Sequence, residues 1–241
     1  MYKLSFDAAW ADLVAISKTN ASVLAILAGA FLLLPNFAEL LFAPPPNIKS
    51  LDLHGLRQME EYYQQNALVL LLCNLPVWLG SAAILSLLLD PRRLTVGDAL
   101  KSGLRLLPSV VVLNWLTQFM IVSGLLLLLV PGLYLIGRLM LAAPAQMAER
   151  IGNPFRAIGR SFALSTGNGW RIAGFVALVV VVAIIVASAA NAVFGIVFSL
   201  VLPKDVLGEV LALLRSAIAA TTALLLLLVG AALYRQQTLS T

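Results

Sequence analysis

Residues 172–202 read IAGFVALVVVVAIIVASAANAVFGIVFSLVL, an apolar run without a charged side chain. A helix needs about 20 apolar residues to cross the roughly 30 Å hydrocarbon core of a bilayer. The run exceeds that length, and a tilted or broken helix accommodates the excess. This segment therefore predicts a transmembrane helix.

Five further apolar runs accompany it, and short polar or proline-containing segments separate them. Of the 241 residues, 61% are hydrophobic and 11% are charged, whereas soluble domains average about 45–50% apolar and about 25% charged residues. The composition predicts an all-α, polytopic membrane protein that forms a single domain over residues 1–241. Its six predicted transmembrane helices cover residues 22–42, 67–89, 107–130, 133–148, 172–202 and 212–234, with a tight turn at Pro131-Gly132 between the third and the fourth.

Three polar-apolar segments predict amphipathic helices at the membrane interface. Residues 5–20 begin with Ser5, which is an N-cap type of residue. Asp98 and Asn153 begin two further segments, and each is followed by a basic pair spaced four residues apart. Such a pair shares one face of a helix, opposite an apolar face. The two basic pairs are Lys101 with Arg105 and Arg156 with Arg160.

The distribution of basic residues predicts the orientation. With both termini on one side, that side holds Lys3, Lys18, Arg92, Arg93, Lys101, Arg105, Arg150, Arg156, Arg160, Arg171 and Arg235, and the other holds Lys49, Arg57, Lys204 and Arg215. Loops rich in Lys and Arg stay in the cytoplasm, so both termini are predicted to be cytoplasmic. The same rule explains the net charge of +5 without a nucleic-acid partner.

The sequence between residues 131 and 171 contains a pattern that is similar to that of a known protein family. It reads Pro131-Gly132, Gly137-Arg138-Leu139, Ala142-Ala143-Pro144, Glu149, Ala157-Ile158-Gly159-Arg160-Ser161, Leu164-Ser165-Thr166-Gly167-Asn168 and Trp170-Arg171. It resembles the membrane domain of the glycerophosphoryl diester phosphodiesterase family and, more closely, the YciC-like bacterial inner-membrane proteins. The resemblance implies six helices, residence in the bacterial inner membrane and a link to envelope maintenance. The phosphodiesterases carry catalysis on a separate soluble domain, so their activity is not expected here.

Arg138 is the strongest candidate for a functional residue. It lies inside the predicted fourth span, where an arginine costs about 2.5–3.5 kcal/mol on insertion scales. Asn114 and Gln118, on one face of the third span, are its predicted partners. Two interpretations stay open. Arg138 either reaches the outer headgroups or clamps helices together, or it belongs to a site for an anion or a lipid headgroup.

Arg156, Arg160 and Arg171 are the candidate contacts for anionic phospholipids at the cytoplasmic surface. Each basic residue near an anionic leaflet contributes about 1 kcal/mol. Simple anchoring by the orientation rule is the alternative, and both roles are compatible. Glu149 lies nearby and is predicted to pair with one of the neighbouring arginines.

A stripe of small and polar residues follows one face of the fifth span. It consists of Ala187, Asn191, Gly195 and Ser199, spaced four residues apart. Small side chains let transmembrane helices approach closely, so the stripe predicts helix packing. A polar pathway lined by Asn191 is the alternative. Asn36, Asn74 and Asn191 are polar residues inside three different predicted spans, and each is expected to form an interhelical hydrogen bond.

No set of residues predicts catalysis, a metal site or a cofactor. The chain has one histidine, His54, and one cysteine, Cys73, whereas structural zinc sites use three or four His or Cys ligands. The sequence therefore favours a non-enzymatic membrane protein of envelope or lipid homeostasis. Its expected partners are membrane phospholipids, with other membrane proteins or further copies of the chain as additional candidates. The alternative is a transporter or channel for a small amphiphile or anion, with a polar path near Arg138.

Overall fold

The computed structural model describes residues 5–46, 48, 52–92 and 94–239, and no β-strand occurs among them. Of the basic residues used for the orientation, Lys3, Lys49 and Arg93 lie outside these ranges. The helices are α1 (Phe6–Thr19), α2 (Ala21–Ala28), a π-helical segment (Gly29–Leu33), α3 (Leu34–Phe42), α4 (Leu53–Leu89), α5 (Val96–Leu127), α6 (Leu129–Leu139), α7 (Ala142–Ala148), α8 (Pro154–Leu164), α9 (Gly169–Val201) and α10 (Lys204–Leu239).

Five helical units are long and apolar enough to cross a membrane. They are Ala21–Phe42, Leu53–Leu89, Val96–Leu127, Gly169–Val201 and Asp205–Thr238. Each contains most or all of one predicted span. The all-helical class is thus confirmed for the described residues, and the five units indicate a multi-pass membrane protein.

The predicted fourth span, 133–148, is not one helix. It is divided between α6 and α7 by a turn at Met140 and Leu141. Pro144 explains the break, because a proline ring clashes with the carbonyl group four residues earlier, here that of Met140. The prediction of one continuous helix over this range was wrong.

The turn between α5 and α6 also lies elsewhere than predicted. Only Leu128 adopts an extended conformation, and Pro131 and Gly132 belong to the first turn of α6. Proline is tolerated there because the first N–H groups of a helix have no intrahelical acceptor. Gly132 allows close approach to α5, since a Cβ at this position would lie 2.7 Å from the Cα of Leu125.

The helix caps were predicted with partial success. Ser5 caps α1, and the Asn153 side chain accepts hydrogen bonds from the backbone N–H groups of Phe155 and Arg156. Asp98 is not an N-cap. Thr95 caps α5: its hydroxyl oxygen accepts a hydrogen bond from the Asp98 backbone N–H group, and the hydroxyl group donates to the Asp98 carboxylate. Residues 98–105 therefore form the start of α5 and not a separate helix.

The main core forms where α1, α2, α9 and α10 meet, around buried residues such as Leu13, Leu27, Ile172 and Leu233. In α9 the buried residues all lie between Gly169 and Val179. The remaining turns of α9 carry exposed Val, Ile, Leu and Phe side chains. Such a surface suits hydrocarbon and not water.

Candidate functional site

A groove of about 720 Å³ runs between α3, α4 and α5. It opens to the outer surface of the helices, where Trp115 and Phe119 on its α5 wall are 66% and 72% exposed. Most of its lining is apolar or aromatic, and a few polar side chains interrupt it. The lining residues are Glu39, Tyr63, Ala67, Leu70, Leu71, Asn74, Trp78, Asn114, Trp115, Gln118, Phe119 and Val122.

Helical spacing explains why these residues meet. Asn74 and Trp78 lie one turn apart on α4, and Asn114 and Gln118 lie one turn apart on α5, so each pair shares a face. The α3 end of the groove is tied to α4, because the Tyr62 hydroxyl group donates a hydrogen bond of 2.8 Å to the backbone oxygen of Ala43. Three separate helices therefore present polar groups to one cleft.

Glu39 is the only Asp, Glu, Lys, Arg or His residue among the residues that line the groove. Asn74 donates a long hydrogen bond of 3.4 Å to its carboxylate and a second bond of 2.8 Å to the Leu70 carbonyl group. The expected interhelical bond of Asn74 is thus present, whereas Asn36 and Asn191 donate to carbonyl groups of their own helical units, those of Leu32 and Ala187. Sequence reasoning missed Glu39, although an acidic residue inside an apolar span is a usable signal of function.

Arg138 lies elsewhere, between α6, α8 and α9. Its guanidinium carbon is 4.8 Å from the ring centroid of Phe162 and 5.8 Å from that of Tyr134, which is within the range of cation–π contact. Its buried Nε atom has no hydrogen-bond partner within the described part of the chain. Arg138 does not line the groove that contains Asn114 and Gln118.

A close crossing of α6 and α9 holds Arg138 in place. A Cβ at Gly137 would lie 2.6 Å from the backbone oxygen of Gly169 and 2.6 Å from the backbone nitrogen of Ala173. The Ser161 hydroxyl group of α8 donates a 2.6 Å hydrogen bond to the Arg138 carbonyl oxygen. Three helices thus converge on this residue, and Arg171 is exposed on the first turn of α9.

The predicted pairing of Glu149 is confirmed with Arg160, whose Nε donates to the carboxylate at 2.7 Å. The Tyr234 hydroxyl group donates to the same oxygen at 3.0 Å, which connects α10 to this pair. Arg160 is therefore engaged with protein although its side chain remains 42% exposed, and Arg156 is exposed as well. Arg150 does not pair with Glu149 but with Asp90.

A basic cavity of about 560 Å³ lies at the start of α5. Arg92, Lys101, Arg105 and Arg150 line it, with Asp98 as the acidic member. Arg92 and Arg150 share the carboxylate of Asp90, whose side chain is only 2% exposed. Sequence reasoning did not identify this cavity, because Arg150 joins it from a distant point in the chain.

The small-residue stripe on α9 lines neither the groove between α3, α4 and α5 nor the basic cavity. Asn191 donates to the Ala187 carbonyl group of its own helix at 2.9 Å, and Ser199 donates to that of Ile196. A Cβ at Gly195 would meet no described atom within 4 Å. No helix described here approaches Gly195 closely, so helix packing on this stripe stays a prediction that would concern another chain.

No three His, Cys, Asp or Glu side chains are grouped as metal ligands within the residues that the structure describes.

The chain matches no protein-family model, no curated protein and no solved structure at a significant level. The fold and the groove therefore define a class, a helical multi-pass membrane protein with a partly polar lateral cleft. Its role has to be argued from its own residues.

Proposed function

We propose that this chain is a non-enzymatic protein of the bacterial inner membrane that holds a lipid or small amphiphile in the groove between α3, α4 and α5. In this proposal it serves envelope or lipid homeostasis. The resemblance to YciC-like proteins supports the location. The observation that supports this role most directly is the open groove, which combines apolar walls with polar side chains from three of the helical units.

The proposal includes six crossings with both termini in the cytoplasm. Five come from the long apolar units, and α6 with α7 supplies the sixth as a broken helix of about 30 Å at 1.5 Å per residue. Two contacts support this path. Gly132 lies against Leu125 near one end, and the Gln146 amide group donates to the Ser109 hydroxyl group at 2.7 Å near the other. Thus α6 and α7 run back beside α5 from Leu125 to Ser109. Helices α1 and α8 are proposed to lie at the interface.

The shape of the groove suits an amphiphile better than a small polar solute. Leu70, Leu71 and Val122 offer an apolar surface for a hydrocarbon chain, and Glu39 with Asn74 offers polar contacts for a headgroup. A lipid tail could remain in the bilayer through the open side. The proposed partners are therefore membrane phospholipids or related amphiphiles in the first place, with other membrane proteins as a further proposal.

The proposal is tested by removing the polar groups of the α5 wall. The double variant Asn114→Leu and Gln118→Leu should retain several-fold less amphiphile during mild detergent purification, as native mass spectrometry of the protein would measure. Asn191→Leu is the matched control. Both asparagines donate at 2.9 Å to the carbonyl group four residues earlier, but only Asn114 lines the groove. Equal retention by the double variant and the control would refute the groove as the binding site.

Transport is the second candidate, and the helix break at Met140 and Leu141 favours it. Broken helices beside charged residues are typical of transporter binding sites, and Arg138 lies at this break. In proteoliposomes, a transporter would release a trapped amphiphile or anion, and Arg138→Ala would abolish the release. A binding protein would show retention in the groove without release.

A further inference from the structure

We infer that the headgroup recognised in this groove is an amine, either a protonated or a quaternary ammonium group, carried on an apolar chain. The inference rests on the proposed function and adds the chemical class of the ligand. It depends on the charge of Glu39, on the lack of a basic side chain near this carboxylate among the described residues, and on the aromatic side chains that line the same groove.

Glu39 lies three residues before the end of the first apolar unit, and its side chain is half-buried. Among the described residues, no Lys, Arg or His lies within 4 Å of its carboxylate, and its one hydrogen bond from Asn74 is long. A carboxylate near hydrocarbon that has one long hydrogen bond and no cationic partner is costly. A ligand cation in the groove would offset that cost.

The aromatic lining is the second argument. Tyr63, Trp78, Trp115 and Phe119 all line the same groove. Aromatic faces attract ammonium groups, and tryptophan does so most strongly, which is why aromatic cages bind quaternary amines. An anionic headgroup would meet the opposite situation, since it would be repelled by Glu39 and would face no basic side chain among the lining residues.

No Lys, Arg or His residue is among the residues that line the groove. Arg138 is stacked between aromatic rings at the α6–α9 crossing, and Lys101 and Arg105 line the separate basic cavity. The chain thus separates a carboxylate site from its cationic surfaces. This separation favours an amine in the groove and phosphate groups at the basic cavity.

Tryptophan fluorescence offers a direct test, because two of the four tryptophans line the groove. The protein, purified in a neutral maltoside detergent with Trp10→Phe and Trp170→Phe, is titrated with two bromine-labelled dodecyl amphiphiles. One carries a trimethylammonium headgroup and the other carries a neutral maltoside. We expect the ammonium probe to quench Trp78 and Trp115 at about tenfold lower concentration, as one partly desolvated charge contact allows.

Glu39→Gln should remove this preference while the neutral probe still quenches. Glu209→Gln is the matched control, because it removes a carboxylate of α10 that does not line the groove, and it should keep the preference. If Glu39→Gln retains the full preference, the amine inference is wrong although the groove still binds. If neither probe quenches the two tryptophans in the parent protein, the groove proposal itself fails.

Discussion

Replacing Gly137 by alanine tests the helix crossing that positions Arg138. The new Cβ would lie 2.6 Å from two backbone atoms of α9, the Gly169 oxygen and the Ala173 nitrogen. Nonbonded carbon atoms prefer separations of about 3.5–4.0 Å, so the helices would have to part by about 1 Å. Backbone atoms cannot rotate away as a flexible side chain does. Overpacking of this kind costs about 1–3 kcal/mol.

The matched control is Gly174→Ala, in α9 itself. A Cβ at Gly174 would meet no described atom within 4 Å. Both substitutions gain the helix propensity of alanine, about 1 kcal/mol, so the difference between the two variants isolates the overlap. We expect Gly137→Ala to be about 1–3 kcal/mol less stable than Gly174→Ala in detergent-induced unfolding followed by circular dichroism. Equal stabilities would refute the close α6–α9 crossing.

Two further predictions concern topology and the basic cavity. With the one native cysteine removed by Cys73→Ala, Arg57→Cys should react with an impermeant maleimide added outside spheroplasts. Ser102→Cys should react only after the membrane is permeabilised. The reverse pattern would overturn the proposed orientation. Reversing charge in the cavity with Lys101→Glu and Arg105→Glu should lower the retention of anionic phospholipid more than tenfold, because each basic residue near the leaflet contributes about 1 kcal/mol. Arg57→Glu is the control for that loss, and an equal loss there would show that the cavity has no special role.

Much of the secondary structure was predictable because it depends on local sequence. A run such as 172–202 has no low-energy place in water, and its length suffices for a helical crossing. The N-cap at Asn153 was also readable, because a cap forms between neighbours in sequence. A pairing of Glu149 with a neighbouring arginine was predictable from opposite charges close in sequence, but only the structure identifies Arg160 as the partner.

Three predictions were wrong because a single residue was interpreted without the backbone positions around it. Pro144 was placed inside a predicted helix, although it has no N–H group to donate to the Met140 carbonyl group and its ring clashes with that group. Pro131 was interpreted as a turn, although the first helical turn tolerates proline equally well. Asp98 was interpreted as the cap, although Thr95 three residues earlier is also an N-cap type of residue and accepts the hydrogen bond of the Asp98 backbone N–H group.

Hydrophobicity and charge, which are properties of the chain itself, determined the all-helical class, the long apolar units and the expected sidedness. The position of Glu39 beside Asn74 and Asn114 was decided only by tertiary structure, because three helices distant in sequence must pack before their polar faces share one groove. The separation of Arg138 from Asn114 and Gln118 was decided in the same way. Helical periodicity says which residues share a face, but the crossings of α4 with α5 and of α6 with α9 determine what each face meets.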